Sequence, residues 1–239
     1  RQRAVARRGR HSIRGRAEHT RPRGGADHAL SDEVADAEPP INWLPLSSPT
    51  PRHQASHHVV DAAFTPEECR RIVALAEPEC AEVGSIEGDD EVDRVRSSSV
   101  SWLAADDDTW WIFERLARLV REANEGWGFD LVGFEEELQY TRYDGPGDHY
   151  TWHRDGLDGD VSTRKITVVV QLTDPGGYDG AQLELPDHLA DPEDPDRLRH
   201  VNGQGSAVVF PAYEYHRVTP LRHGRRRSLV AWVAGPPFR

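Results

Sequence analysis

The chain has 239 residues, 37% of them hydrophobic, and a formal net charge of −12. It holds no run of about 18 apolar residues, which excludes a transmembrane helix. So acidic a chain repels nucleic acid and anionic membrane, so neither is expected as a partner. Cys69 and Cys80 are the two cysteines; their spacing fits no zinc motif and implies no disulfide framework, as expected of a reduced, cytoplasmic protein. Residues 1–30 hold nine Arg against Glu18 and Asp27, so the acidity is concentrated downstream. Residues 1–40 are rich in Arg, Gly and His without apolar periodicity, and read as a disordered tail. Position 1 is Arg rather than Met, so the sequence is not expected to start at a translation start.

Order is expected from about residue 56. His58–Phe64 reads as a short strand, and Thr65-Pro66-Glu67-Glu68 is a helix start: Thr as N-cap, Pro at the first helical position, Glu at the third. That helix should run to about Ala76 on an apolar stripe of Cys69, Ile72 and Val73. Residues 81–101 read as an irregular segment with a strand. Asp106-Asp-Asp-Thr109 caps a second helix over roughly 109–124, whose tryptophans are expected in the core. From Glu136 the period changes to that of strands, with candidates at 136–143, 149–154, 165–172, 181–185, 206–210, 213–219 and 227–233. Ile166–Leu172 is nearly continuously apolar, as in a strand covered on both faces. Helices followed by many short strands imply an antiparallel double sheet with helices packed outside.

The chemistry sits in this second part. In His153-x-Asp155, strand alternation points an imidazole and a carboxylate the same way. His216 can add a third ligand. Two His and one carboxylate form the facial triad of a non-haem Fe(II) site, which leaves metal positions open. Downstream, Arg226 and Ser228 share one strand face ahead of the apolar run Leu229–Val233. Arg226 offers a planar donor fork suited to a buried carboxylate, and Ser228 adds a hydroxyl. By the same parity Trp152 and Arg154 lie on the face away from the ligands, with Trp152 expected in the core. His149, His200 and His223 have no assigned role, and His223-Gly224 reads as a turn.

These residues resemble the iron- and 2-oxoglutarate-dependent dioxygenases, in the prolyl 4-hydroxylase-like branch that includes the bacterial PKHD-type hydroxylases. Tyr143, Tyr150, His153, Asp155, His216 and Arg226 fall on the pattern of that branch, as do His216-Arg-Val-Thr-Pro220 and Leu172–Leu183, where Ala181 replaces the second Gly of a Gly-Gly pair. The resemblance spans roughly residues 58–234. It implies a mainly β fold with α, a double-stranded β-helix (jelly roll) with supporting N-terminal helices. One domain would fill 41–239, with a helical support region at 41–135 and the jelly-roll core at 136–239. It further implies Fe(II) held by His153, Asp155 and His216, and 2-oxoglutarate chelated to the metal with its far carboxylate on Arg226, Ser228 and Tyr143. Ascorbate is admitted as an added cofactor. The implied reaction consumes O2, releases succinate and CO2, and hydroxylates an amino-acid side chain, a peptidyl proline or a related peptide or small-molecule substrate. Asp155 is a carboxylate where related halogenases carry a small residue, which favours hydroxylation. The alternative is a non-catalytic, cupin-like metal-binding jelly roll. A sensor of that kind needs no dicarboxylate anchor.

Overall fold

The fold is built on a larger sheet whose strands alternate between two buried faces, with a smaller sheet packed on one of them. The structure, a computed structural model, describes residues 55–82, 95–157, 159–186, 198–200 and 203–238. All of these fall in one unit, Pro49–Arg239; the tail expected over 1–40 lies outside the described residues.

Strands are labelled in chain order. The larger sheet contains β1 (His58–Val60), β2 (Ala81–Glu82), β4 (Ser99–Leu103), β5 (Leu138–Tyr143), β7 (Arg164–Gln171), β11 (Ala207–Pro211) and β14 (Arg226–Ala234). Their spatial order is β1-β11-β7-β14-β5-β4-β2. The smaller sheet contains β3 (Arg96–Ser97), β6 (His149–His153), β9 (Leu183–Pro186), β10 (Leu198–His200) and β12 (His216–Val218), in the order β10-β9-β12-β6-β3. A separate two-stranded ribbon pairs β8 (Tyr178–Gly180) with β13 (Leu221–Gly224). Every strand pair is antiparallel. This is the double sheet expected from the strand-rich second half. The separation into a support region and a core is less clean, because strands from 58–103 extend both sheets.

Helix α1 (Pro66–Ala76) starts as its sequence dictates. Thr65 Oγ1 accepts from the Glu68 N–H, and the Glu68 carboxylate accepts from the Thr65 N–H. Helix α2 (Trp110–Trp127) ends on Gly128 in the left-handed conformation, which a residue without Cβ adopts at no steric cost. Both helices bury their apolar stripes on the larger sheet. On β7, Ile166, Val168 and Val170 join this layer, as do Leu229, Ala231 and Val233 on β14, together with Ile72, Ile112 and Leu116 from the helices. Burying each of the Val, Leu and Ile side chains among these contributes about 1.5–3 kcal/mol. The intervening Val169 on β7, and Val208 and Phe210 on the neighbouring β11, face a second cluster with Leu183, Leu185 and Val218 of the smaller sheet. One sheet thus separates a dry layer beneath the helices from an inner layer where polar side chains collect. Among the described residues no helix is long and apolar enough to cross a membrane.

Two expectations about tryptophan fail. On α2, Trp111 packs against the core beside the buried stripe of Ile112, Leu116, Leu119 and Val120, as expected, but Trp110 lies off that stripe and is 56% exposed. Trp152 is 39% exposed on the outer face of the smaller sheet, with the Arg217 guanidinium over its ring; no helix covers that face among the described residues. His223 lies in β13 rather than in a turn, beside Asp179. Gly224 ends that strand with φ +83°, where a Cβ would lie 2.3 Å from the Gly177 carbonyl oxygen. Ala181, standing where the resembling family has glycine, keeps the positive φ of that position at +45°.

Candidate active site

Strands β6 and β12 pair antiparallel with His153 directly opposite His216. Asp155 follows two residues after His153, just past the end of β6. The chain is held there by the Asp155 and Gly156 N–H groups, which both donate to the Ala212 carbonyl, at 3.0 and 2.8 Å. The Nε2 atoms of His153 and His216 each lie 3.5 Å from an Asp155 carboxylate oxygen. One nitrogen or oxygen from each residue falls within 4.8 Å of the others.

The neighbours of these three residues orient them. The Nδ1 of His153 lies 2.7 Å from the Thr151 carbonyl, and that of His216 lies 3.1 Å from the Glu214 carbonyl. A carbonyl can only accept, so each Nδ1 carries a proton, and each Nε2 faces the centre, where its lone pair can serve a metal once the ring is neutral. Thr167 Oγ1 donates to Asp155 Oδ2 at 2.9 Å. Burial pushes the Asp155 pKa up, but His216 and His153 outweigh it and hold the group well below the usual carboxylate range. Burial lowers the His216 pKa, against the opposing pull of Asp155. The attraction that holds Asp155 ionised comes from the protonated form of the imidazoles, whereas metal binding takes the ionised carboxylate with neutral imidazoles, the form that burial favours at His216.

The larger sheet brings a different group to the same cavity. Arg226 opens β14 opposite Tyr143 on β5, and Ser228 follows on the same face. Arg226 is 1% exposed. Its Nε donates to Gln171 Oε1 at 3.0 Å, and Gln171 Nε2 in turn donates to the Tyr178 hydroxyl at 2.9 Å. The two terminal nitrogens, Nη1 and Nη2, are buried without a hydrogen-bond partner. Burying an unpaired cation costs several kcal/mol, so this guanidinium is built to meet an anion. Ser228 and Tyr143 are buried beside it, with the Arg226 Cζ 5.5 Å from the centre of the Tyr143 ring. All six residues picked from the sequence line one cavity between the sheets. Two imidazole nitrogens and a carboxylate at one end suit a divalent metal, and the unpaired donor fork at the other suits a carboxylate. The residues present therefore fit both Fe(II) and a dicarboxylate co-substrate.

The cavity also holds Tyr150, which lies on the family pattern, and residues that motif reading passed over. Arg96, from β3, lies over the Tyr150 ring and donates to Ser98 Oγ at 2.8 Å. Tyr150 stacks on the His153 ring with 3.4 Å between centroids. Gln139 and Thr141 on β5, Thr167 and Gln171 on β7, and Trp232 on β14 are buried, and all but Thr167 and Gln171 line the cavity itself. Their signal was available: polar residues at alternate positions of otherwise apolar strands mark the inward, wet face. Arg154, left open by the sequence, stacks on Tyr215 outside the cavity.

Comparison with known proteins agrees with this geometry. Residues 138–234 match the model of the 2OG-Fe(II) oxygenase superfamily. A PKHD-type hydroxylase of Sphingopyxis alaskensis is 33% identical over 98 residues, 39% of this chain and 41% of that protein. One of Hyphomonas neptunium is 34% identical over 94 residues, 37% and 39% of the two chains. The chain thus spans about two fifths of the length of the curated relatives it matches. Among solved structures, a Pseudomonas putida prolyl-4-hydroxylase superposes with a TM-score of 0.59 at 20% identity, covering 76% of this chain and 94% of that one. The viral collagen prolyl hydroxylase of Paramecium Bursaria Chlorella virus-1, in its 2OG complex, gives 0.54 at 20% identity, covering 76% and 97%. At such identities the likeness establishes the fold, a jelly roll.

Proposed function

We propose, from a core that belongs to the 2OG-Fe(II) oxygenase superfamily over residues 138–234, that this protein is an Fe(II)- and 2-oxoglutarate-dependent hydroxylase. Its substrate is an amino-acid side chain, a peptidyl proline or a related residue. The names of the similar proteins, PKHD-type hydroxylase and prolyl-4-hydroxylase, support that substrate class. A cytoplasmic setting fits Cys69 and Cys80 being free thiols.

His153, Asp155 and His216 would hold the iron, and Arg226, with Ser228 and Tyr143, the far carboxylate of 2-oxoglutarate. Bound iron supplies the activation of O2 that couples loss of CO2 from 2-oxoglutarate to hydroxylation of a C–H bond. The protein's own contribution is orientation. Backbone carbonyls fix both imidazole tautomers, Thr167 holds one Asp155 oxygen, and Gln171 aims the Arg226 fork across the cavity. The apolar layers on either side of the larger sheet keep water from competing for that fork.

The observation that carries this reading is the buried Arg226 with both terminal nitrogens unpaired, facing the same cavity as the triad. A non-catalytic metal-binding jelly roll has no use for it. The test is succinate release from Fe(II), 2-oxoglutarate and O2 with a library of peptides and amino acids. Succinate production coupled to a mass gain of one oxygen on a library member is the expected result. Neither coupled nor uncoupled turnover, with iron tightly bound, would leave the metal-binding jelly roll as the better account.

A further inference from the structure

On the opposite face of the rung that carries Arg226 and Tyr143 lies a second cluster of charges. Arg227 on β14 stands directly opposite Arg142 on β5. Like charges opposed across two strands repel and loosen the pairing. Arg225, beside them, brings a third positive charge to the same place. One carboxylate joins all three: Glu77 accepts from Arg142 Nη1 at 3.0 Å and from Arg227 Nε at 3.1 Å, and lies 3.9 Å from Arg225 Nη1. The Tyr140 hydroxyl also donates to it. Asp144 shares Arg142 and Arg225, at 3.0 and 3.4 Å.

The location of Glu77 is informative. It is the C-cap of α1, a helix with no basic residue in its last turn. The negative end of the helix dipole makes that a poor place for a carboxylate, so local helix energetics do not explain it. Its contacts, all made across to the larger sheet, do.

We infer that Glu77 is a positioning residue for the co-substrate anchor: by bridging Arg142, Arg225 and Arg227 and offsetting their repulsion it holds the head of β14 in the register that turns Arg226 into the cavity. This inference rests on the proposed role of Arg226 toward 2-oxoglutarate. Arg226 sits between two arginines in sequence, and a slip of one residue would send a different one inward. Paired outer arginines and an unpaired inner one remove that ambiguity.

The test measures 2-oxoglutarate affinity by anaerobic titration of the Mn(II)-loaded full chain, and Mn(II) affinity separately, with no turnover needed. Glu77→Gln is expected to weaken 2-oxoglutarate binding roughly threefold to tenfold, through the repulsion it leaves between Arg142 and Arg227. Mn(II) affinity should stay unchanged. Adding Arg142→Gln should restore 2-oxoglutarate affinity to within about twofold, because it removes the opposed charge. Simple loss of a stabilising contact predicts the reverse, a double variant worse than the single. If Glu77→Gln does not fold, the double variant is the test, with folding and affinity expected to return; a double variant that folds no better overturns the inference. Arg226→Ala is the control. If it weakens binding while Glu77→Gln does not, Glu77 has no positioning role and the co-substrate reading stands. If Arg226→Ala also has no effect, that reading itself fails.

Discussion

The two faces of β14 at its first residues carry arginines in opposite circumstances. On the outer face, Arg225 and Arg227 are half-exposed or partly buried and meet the carboxylates of Glu77 and Asp144. On the inner face, Arg226 is buried and its terminal nitrogens have no hydrogen-bond partner. Three consecutive identical side chains thus divide into two that are ion-paired and one whose terminal nitrogens are not. What separates them is whether the protein itself supplies the counter-charge. A satisfied cation holds a fold together, whereas a buried unsatisfied one waits for a ligand.

The comparison breaks most completely at the metal end. Asp155→Ala and His153→Ala each remove a ligand that the neighbours cannot replace. Loss of the outer hydrogen-bond partners of metal ligands alone costs about 10- to 100-fold in metal affinity, so these variants should lose more than that, along with all turnover. Iron content after gel filtration, with 2-oxoglutarate turnover alongside, checks this. Iron retained at wild-type stoichiometry in both variants would remove the triad from the account.

Next in size is the inner arginine. Arg226→Ala should weaken 2-oxoglutarate about 10- to 100-fold, the equivalent of about 1.5–3 kcal/mol for charge-assisted hydrogen bonds, while iron binding is retained. Arg226→Lys should recover part of the loss, keeping the charge without the fork. Arg225→Ala on the outer face, 47% exposed at its side chain, should change the affinity by no more than about threefold, as expected of an exposed ion pair. Apparent KM for 2-oxoglutarate across the three variants measures the contrast. If Arg225 proved the sensitive residue, the strand register would be wrong by one.

Much of this division was legible in the sequence because it follows from period. Strand parity alone selected Arg226 and Ser228 over Arg225 and Arg227, and the capping box selected the start of α1. What stayed hidden depends on pairing between distant segments. Nothing local reveals that Glu77 at the end of a helix meets Arg142 and Arg227, or that Arg96 reaches the cavity from β3. Trp110 and Trp152 were misread for the same reason: apolar character does not say whether another layer covers the face it sits on. The ribbon of β8 and β13 was also missed, since its strands are short and rich in polar and turn residues.

The outer face should show its own signature in acid. Burial pushes the Glu77 pKa up, but hydrogen bonds from Tyr140, Arg227 and Arg142 outweigh it and bring it down to about 2. A carboxylate whose pKa is depressed by folding stabilises the fold above its unfolded value, and that contribution is lost as pH falls through the folded one. The stability gap between wild type and Glu77→Gln should therefore be constant near neutrality and close between the ordinary carboxylate value of 4.5 and about 2. Differential scanning calorimetry of both proteins across that range tests it, and acidic groups that share no partner with Glu77 cancel in the difference. A gap that stayed open at the acid end would mean that Glu77 acts through packing rather than charge.

The smallest expected effect separates the helix from its charge. Thr65 and Glu68 form the capping box at the other end of α1, and Glu68 also pairs with Arg115, which in turn donates to the Ala63 carbonyl. Thr65→Ala removes one cap and should cost about 1 kcal/mol of stability, a fall of about 2–4 °C in Tm for a chain of this size. Thr65→Ser should recover most of it, since the hydroxyl is kept. Neither variant should move 2-oxoglutarate affinity by more than about twofold, because the frayed N-terminal turn lies a helix length from Glu77 and touches none of its arginines. The measurement pairs a thermal melt with the anaerobic titration used for Glu77→Gln. If Thr65→Ala weakened co-substrate binding as much as Glu77→Gln does, docking of α1 as a whole, rather than the carboxylate at its end, would be what keeps Arg226 facing inward.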